Sequence, residues 1–328
     1  MGNVNDIKEK KECLVCGGEY EGTPRQKYCL RCGKHVKGNL DSCAECASAL
    51  KKAWNKEADG FICYYTGEML DEEDWHSPWA LSFDHLVPGQ AKLVACCRVV
   101  NSMKQDLSEE EFKGLVKELD RHWKGRRFDK GVAKFEFWKR PQCYWATRPQ
   151  GHQALGGSQN NRRTVLLALK SSERVAFLRT RPQGERTDPW GTKLCVVCGG
   201  KALLRSRYCK RCHNFVESEN EHETRMKALK KGWSSKADGF VCHYTGIKLE
   251  EKDRTSPWYL TFDHKIPGRK GGTLLVAARF VNGMKTDLAE DEFRAMTRQL
   301  VSKFKGGQFD RSKVKFRYYH RGVRPKSK

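Results

Sequence analysis

The sequence predicts an α+β chain that builds the same module twice. Three observations predict it. A pattern of motifs repeats with a period of about 180 residues, strand-like and helix-like stretches alternate inside each repeat, and each repeat opens on two Cys-x-x-Cys pairs. The chain has 328 residues, enough for two ordinary domains with modest cores.

The repeat is read directly from matched segments. Cys13-Leu14-Val15-Cys16 returns as Cys195-Val196-Val197-Cys198, and Tyr28-Cys29-Leu30-Arg31-Cys32 as Tyr208-Cys209-Lys210-Arg211-Cys212. Phe83-Asp84-His85 returns as Phe262-Asp263-His264, and Asn101-Ser102-Met103-Lys104 as Asn282-Gly283-Met284-Lys285. So long a period implies two domains, at residues 1–140 and 191–328. Between them, residues 141–190 are rich in Pro, Gly, Gln, Asn and Arg and read as a linker, with a more apolar patch from Thr164 to Leu178. The basic tail from Arg321 to Lys328 reads as mobile.

Within each copy the expected order is the same. A Cys-rich loop leads into a helix (42–56; 219–236), and a strand-and-turn stretch then ends in Phe-Asp-His. A short apolar helix carries the Asn (94–104; 275–285). Another helix begins at Ser108-Glu109-Glu110-Glu111, which has the form of a capping box. Alternation over Val132–Trp138 and Val314–Tyr319 predicts closing strands.

Charge narrows the partners. Lys and Arg number 63 against 40 Asp and Glu, a formal net charge of +23. Such an excess favours a polyanion, because neutralising phosphates releases condensed counterions. An inert basic surface and an acidic membrane surface are the competing readings. No apolar run is long enough for a membrane span, and the N-terminus lacks the apolar stretch of a secretion signal, so an intracellular location is expected.

Fifteen cysteines without an export signal argue for reduced thiols and metal ligation. Cys13, Cys16, Cys29 and Cys32 form two pairs twelve residues apart; Cys195, Cys198, Cys209 and Cys212 form two pairs ten residues apart. Two such turns can close a tetrahedron around Zn²⁺ with no open position, so a structural zinc-ribbon-like site is expected in each copy. Redox pairs and an iron–sulfur cluster are the alternatives. Cys43 and Cys46 read as helix-surface thiols or a third metal site, and Cys63, Cys96, Cys97 and Cys242 as packed thiols. Cys143 has no counterpart. Trp54, Trp79, Tyr65 and their equivalents Trp233, Trp258 and Tyr244 read as core before base-stacking platforms.

Asp84-His85-Leu86-Val87-Pro88-Gly89 followed by Asn101-x-x-Lys104-x-Asp106, and Asp263-His264 with Pro267-Gly268 followed by Asn282-x-x-Lys285-x-Asp287, resemble the HNH family of ββα-metal nucleases. The tail Asn-x-x-Lys-x-Asp is similar to the HNH helix of CRISPR effectors and of rare-cutting restriction enzymes. The resemblance covers residues 60–112 and 239–293. It implies two tandem ββα-metal domains in which His85 and His264 are general bases. It makes Asp84 with Asn101, and Asp263 with Asn282, ligands of a catalytic Mg²⁺ or Mn²⁺. Arg98, Lys104, Arg279 and Lys285 lie one turn from the Asn, where they could hold a phosphate backbone.

Two departures stand out. The family's middle Asn or His is missing, with Gln90 and Gly271 regions in its place, so the contact that orients the histidine must come from elsewhere. The second zinc knuckle is lost, since Thr66 stands where a partner of Cys63 would. Of the two copies, the second has the more usual loop.

The resulting expectation is a homing- or restriction-like DNA endonuclease. One chain acts as a pseudo-dimer on double-stranded DNA, with one core per strand. A zinc-dependent DNA-binding protein with inactive cores is the rival, and an RNA-cutting nuclease the third reading.

Overall fold

The computed structural model describes residues 8–37, 43–132, 135, 192–204, 206–217, 221–268 and 272–316. The linker, the patch from Thr164 to Leu178, Cys143 and the tail from Arg321 lie outside them. The fold is mixed α+β, with small two-stranded antiparallel sheets.

In the first copy a hairpin of β1 (Glu9–Glu12) and β2 (Glu19–Gly22) precedes α1 (Leu30–Lys37) and α2 (Cys43–Ala53). Two-residue strands β3 (Trp54–Asn55) and β4 (Gly60–Phe61) follow. Then come β5 (Leu81–His85), β6 (Leu93–Cys97), α3 (Arg98–Lys104) and α4 (Glu109–Trp123). The second copy repeats this with α5 (Lys210–Val216), α6 (His222–Gly232), β7 (Trp233–Ser234), β8 (Gly239–Phe240), β9 (Leu260–His264), β10 (Leu274–Ala278), α7 (Arg279–Lys285) and α8 (Glu290–Phe304).

The centre of each copy is a hairpin followed directly by a helix. Asp84 pairs with Val94 and His85 with Leu93; in the second copy Asp263 pairs with Leu275 and His264 with Leu274. The expected helices from 94 and 275 therefore begin only at Arg98 and Arg279. A short apolar run fits a buried strand as well as a helix, and pairing to the neighbouring strand decides it here.

The α4 start is as expected. Ser108 Oγ accepts from the Glu111 N–H at 3.3 Å, and Glu111 Oε2 accepts from the Ser108 N–H at 2.7 Å. In α8 the cap is Ala289, so only the half supplied by Glu292 remains, at 2.8 Å. Of the stretches expected as closing strands, Val132 ends a one-turn 3-10 helix and residues 314–316 have no regular structure among the described residues. The rest of both stretches lies outside the described residues, apart from Phe135.

The two copies share one continuous core. Phe112 of α4 meets Phe304 of α8 edge-on, and Phe293 of α8 meets Trp123 of α4 the same way. Trp79 packs on Phe309 while Trp258 packs on Phe128. Lys113 lies over Phe304, and its equivalent Arg294 over Trp123. Each contact has its reciprocal, as in an isologous dimer interface made within one chain. No described helix is long and apolar enough to cross a membrane.

Candidate functional site

Two kinds of site recur in both copies. The first is the cysteine cluster. Cys13, Cys16, Cys29 and Cys32 come together, as do Cys195, Cys198, Cys209 and Cys212, with all four sulfurs of each set within 4.8 Å of one another. Cys16 Sγ lies 3.8 Å from Cys29 Sγ, and Cys198 Sγ lies 3.5 Å from Cys209 Sγ. Zn–S bonds of about 2.3 Å in a tetrahedron put sulfurs about 3.8 Å apart, so both sets fit a structural zinc ion.

The geometry arises locally. In each copy one pair sits on a tight turn, where Gly17 and Gly199 adopt φ of 73° and 75°, and the other pair lies at the start of α1 or α5. Burial tends to raise the Cys13 thiol, but backbone hydrogen bonds from Cys16, Cys29 and Val15 bring it down to about 7. Burial pushes Cys32 upward, so without a cation the four sulfurs cannot all ionise.

The remaining cysteines pack. Cys63, Cys96, Cys97 and Cys242 are buried, as expected. Cys63 Sγ lies 3.7 Å from Cys97 Sγ and accepts from the Cys97 N–H, beside Thr66. Cys46 is fully buried against Ala49 and Leu93, which corrects its reading as a surface thiol. Tyr65, Tyr244, Trp79 and Trp258 are buried; Trp54 and Trp233 are half-buried beneath Arg31 and Arg211.

The second site is the junction of strand and helix. Asn101 Nδ2 donates to the Phe83 carbonyl at 2.8 Å and to Ser82 Oγ at 2.7 Å. Asn282 Nδ2 does the same to Phe262 at 3.1 Å and Thr261 Oγ1 at 3.2 Å. Each Asn thus ties its helix to the residue before the Asp-His pair. The strand pleat then sends Asp inward and His outward: Asp84 is buried and His85 exposed, while Asp263 is buried and His264 half-exposed.

Lys104 and Lys285 correct the expectation of phosphate contact. Both are fully buried. Lys104 Nζ donates to Asp84 Oδ1 at 3.1 Å and to the His85 carbonyl at 2.6 Å; Lys285 does so to Asp263 at 3.1 Å and His264 at 2.8 Å. Tyr65 donates to Asp84 Oδ2 at 2.6 Å, and Tyr244 to Asp263 Oδ2 at 2.5 Å. Burial pushes both carboxyls up, and the neighbouring lysine opposes it. This clamp fixes the backbone at the strand end that carries each histidine.

The clamp also bears on the expected divalent ion. Asp84 and Asp263 have each oxygen engaged, one of them by a full ammonium charge, in a site with almost no solvent exposure. As arranged, this donor set does not fit Mg²⁺ or Mn²⁺, which take carboxylates that are free to coordinate and keep several waters. Asp84 and Asp263, expected as metal ligands, are in this structure engaged by protein donors instead.

Arg98 and Arg279 each begin a helix and remain half-exposed, donating to the backbone carbonyls of Trp75 and Arg254. Sequence reasoning missed Glu221. Its carboxylate lies 3.5 Å from His264 Nε2, and it stands at the cap just before α6, far from the motif in the chain. His264 Nδ1 is buried, so Nε2 is the ring atom on the accessible side.

Comparison of the chain with protein-family models, curated proteins and solved structures finds no match.

Proposed function

We propose that the chain is an endonuclease of HNH type that hydrolyses phosphodiester bonds in double-stranded DNA, one core per strand. The observation that carries this reading is the strand–helix junction. In both copies the Asp-His pair ends a hairpin strand, and the Asn of the following helix is bonded to that strand one residue before the Asp. The net charge of +23 supports a phosphate-rich substrate, and the reciprocal packing of the copies supports a two-stranded one.

In this reading a neutral imidazole of His85 or His264 takes a proton from the attacking water. In the second core the Glu221 carboxylate lies against His264 Nε2, the ring atom on the accessible side, and would have to move aside for that nitrogen to take the proton. Lys104 and Lys285 fix the strand ends that carry the bases. Arg98 and Arg279 are the cations left near the surface to meet the phosphate. No step is assigned to a metal ion.

A zinc-stabilised DNA-binding protein with silent cores is the second reading, favoured by the buried Asp–Lys pairs. Supercoiled plasmid separates the two. It is incubated with Mg²⁺, with Mn²⁺ and with no added divalent ion, using the native chain, His85→Ala, His264→Ala and the double variant. Linear product from the native chain, nicked circles from each single variant and intact plasmid from the double variant support two strand-cutting centres. Binding without cleavage under every condition replaces the nuclease reading with the second one.

A further inference from the structure

The reciprocal packing of the copies generates two related faces along the seam, and their charges are not alike. One lies between the end of α4 with its following 3-10 turn and the β7–β8 region of the second copy. It encloses about 900 Å³. Arg127, Lys130, Lys236 and Lys248 line it, against a single carboxylate, Asp129. That carboxylate already accepts from the Gly131 N–H at 2.9 Å. Lys130 is held over the face of Trp258, 4.9 Å from the ring centre. At Gly246, where φ is 66°, the nearest side chain is His122, whose ring comes within 3.4 Å of the point where a Cβ would stand.

The equivalent face on the other side of the seam has lost most of the positive charge. The repeat places Glu57 where Lys236 stands, Glu68 for Ile247, Met69 for Lys248 and Gln308 for Arg127. Two of its contacts repeat those of the first cleft in kind. Arg311 lies over Trp79 at 4.5 Å and reaches the Met69 carbonyl at 3.5 Å. Lys303 Nζ comes within 2.8 Å of the point where a Cβ on Gly67 would stand.

Four cations facing one engaged carboxylate repel one another until an anion enters, and an extended row of cations suits a chain of phosphates better than a single small anion. We infer that the open cleft between the copies is a binding groove for the phosphodiester backbone of a nucleic-acid strand, and that only one of the two pseudo-symmetric faces has it. The groove draws on the nucleic-acid part of the function proposed above, but it needs no cleavage. One chain would then seat its substrate in a single orientation, which a symmetric dimer cannot do.

The test exchanges residues between the copies. Lys236→Glu with Lys248→Met installs the side chains that the first copy carries at the same backbone positions, so folding is preserved; circular dichroism and zinc content verify it. Binding to a short duplex and to its separated single strand is followed across salt concentrations with no added divalent ion. The charge-matched control is Lys10→Glu with Lys8→Met, two exposed residues on the first hairpin side of the molecule.

The expected result is a fall in the slope of log affinity against log salt by about two, with affinity at low salt at least tenfold weaker, and little change in the control. A loss on the duplex identifies a duplex strand as the occupant, and a loss confined to the single strand identifies that form. An unchanged slope on both, or an equal fall in the control, overturns the groove. Plasmid that is bound but never cut removes the nuclease reading and leaves this comparison of slopes intact.

Discussion

Lys104 lies 3.1 Å from Asp84 with none of its side chain exposed, and Lys285 repeats the relationship to Asp263 at the same distance. An ion pair this dry is held because each charge has further partners: the phenol of Tyr65 or Tyr244 for the carboxylate, and the histidine carbonyl for the ammonium. Removing one member strands the other. Lys104→Met is expected to cost about 3–5 kcal/mol. Asp84→Asn combined with Lys104→Met should cost clearly less than the sum of the singles, because no buried charge remains unpaired. Urea unfolding of the four proteins gives the coupling energy, and strict additivity would show that the pair does not act as a unit.

Each cysteine cluster should hold one zinc ion. Elemental analysis of protein purified without added metal is expected to find two per chain. Cys32→Ser should remove one and loosen α1; Cys212→Ser should remove the other and loosen α5, both visible as faster amide exchange. A folded native chain with no zinc would end this assignment.

The inter-copy seam is expected to make the chain unfold as one unit. Trp123 reaches across it twice, donating to the Tyr244 carbonyl at 3.1 Å and packing on Phe293. Trp123→Ala is expected to cost about 3–5 kcal/mol and to separate the melting of the two copies into distinct calorimetric steps. A single unshifted transition would mean that the seam contributes little.

Glu290 is drawn down to about 2, chiefly by its hydrogen bond with His243 at 3.0 Å, against the opposing effect of burial. A carboxyl depressed on folding stabilises the native state above its ordinary value of 4.5. That contribution fades as pH falls through the interval from 4.5 toward 2. The first copy has Tyr64 donating to Glu109 at the same place, at 2.9 Å. Carbon-detected titration of the carboxyls should therefore find Glu290 well below its ordinary value, and His243→Tyr should move it upward. No movement would assign the depression to another neighbour.

Much of this protein was legible in the chain. The repeat, the two sets of paired cysteines and the Ser108–Glu111 cap depend on residue identity over short spacings, and short spacings constrain local geometry strongly. The Asp-His end of each strand and the Asn of each helix were readable for the same reason. The boundary between β6 and α3 was not, because Leu93–Cys97 is apolar in a way that suits either element until β5 pairs with it.

What the tertiary structure alone decided is which charges face water. Lys104 and Arg98 stand close together in the chain, and both looked suited to a phosphate, yet one is fully buried on an aspartate while the other remains at the surface. Glu221 reaches His264 from the cap of another helix, and Lys236 faces Arg127 only because the copies dock. Sequence specified the groups and their local spacing; burial and long-range neighbours, which set whether a charge is paired, dry or free, arise only when distant segments pack.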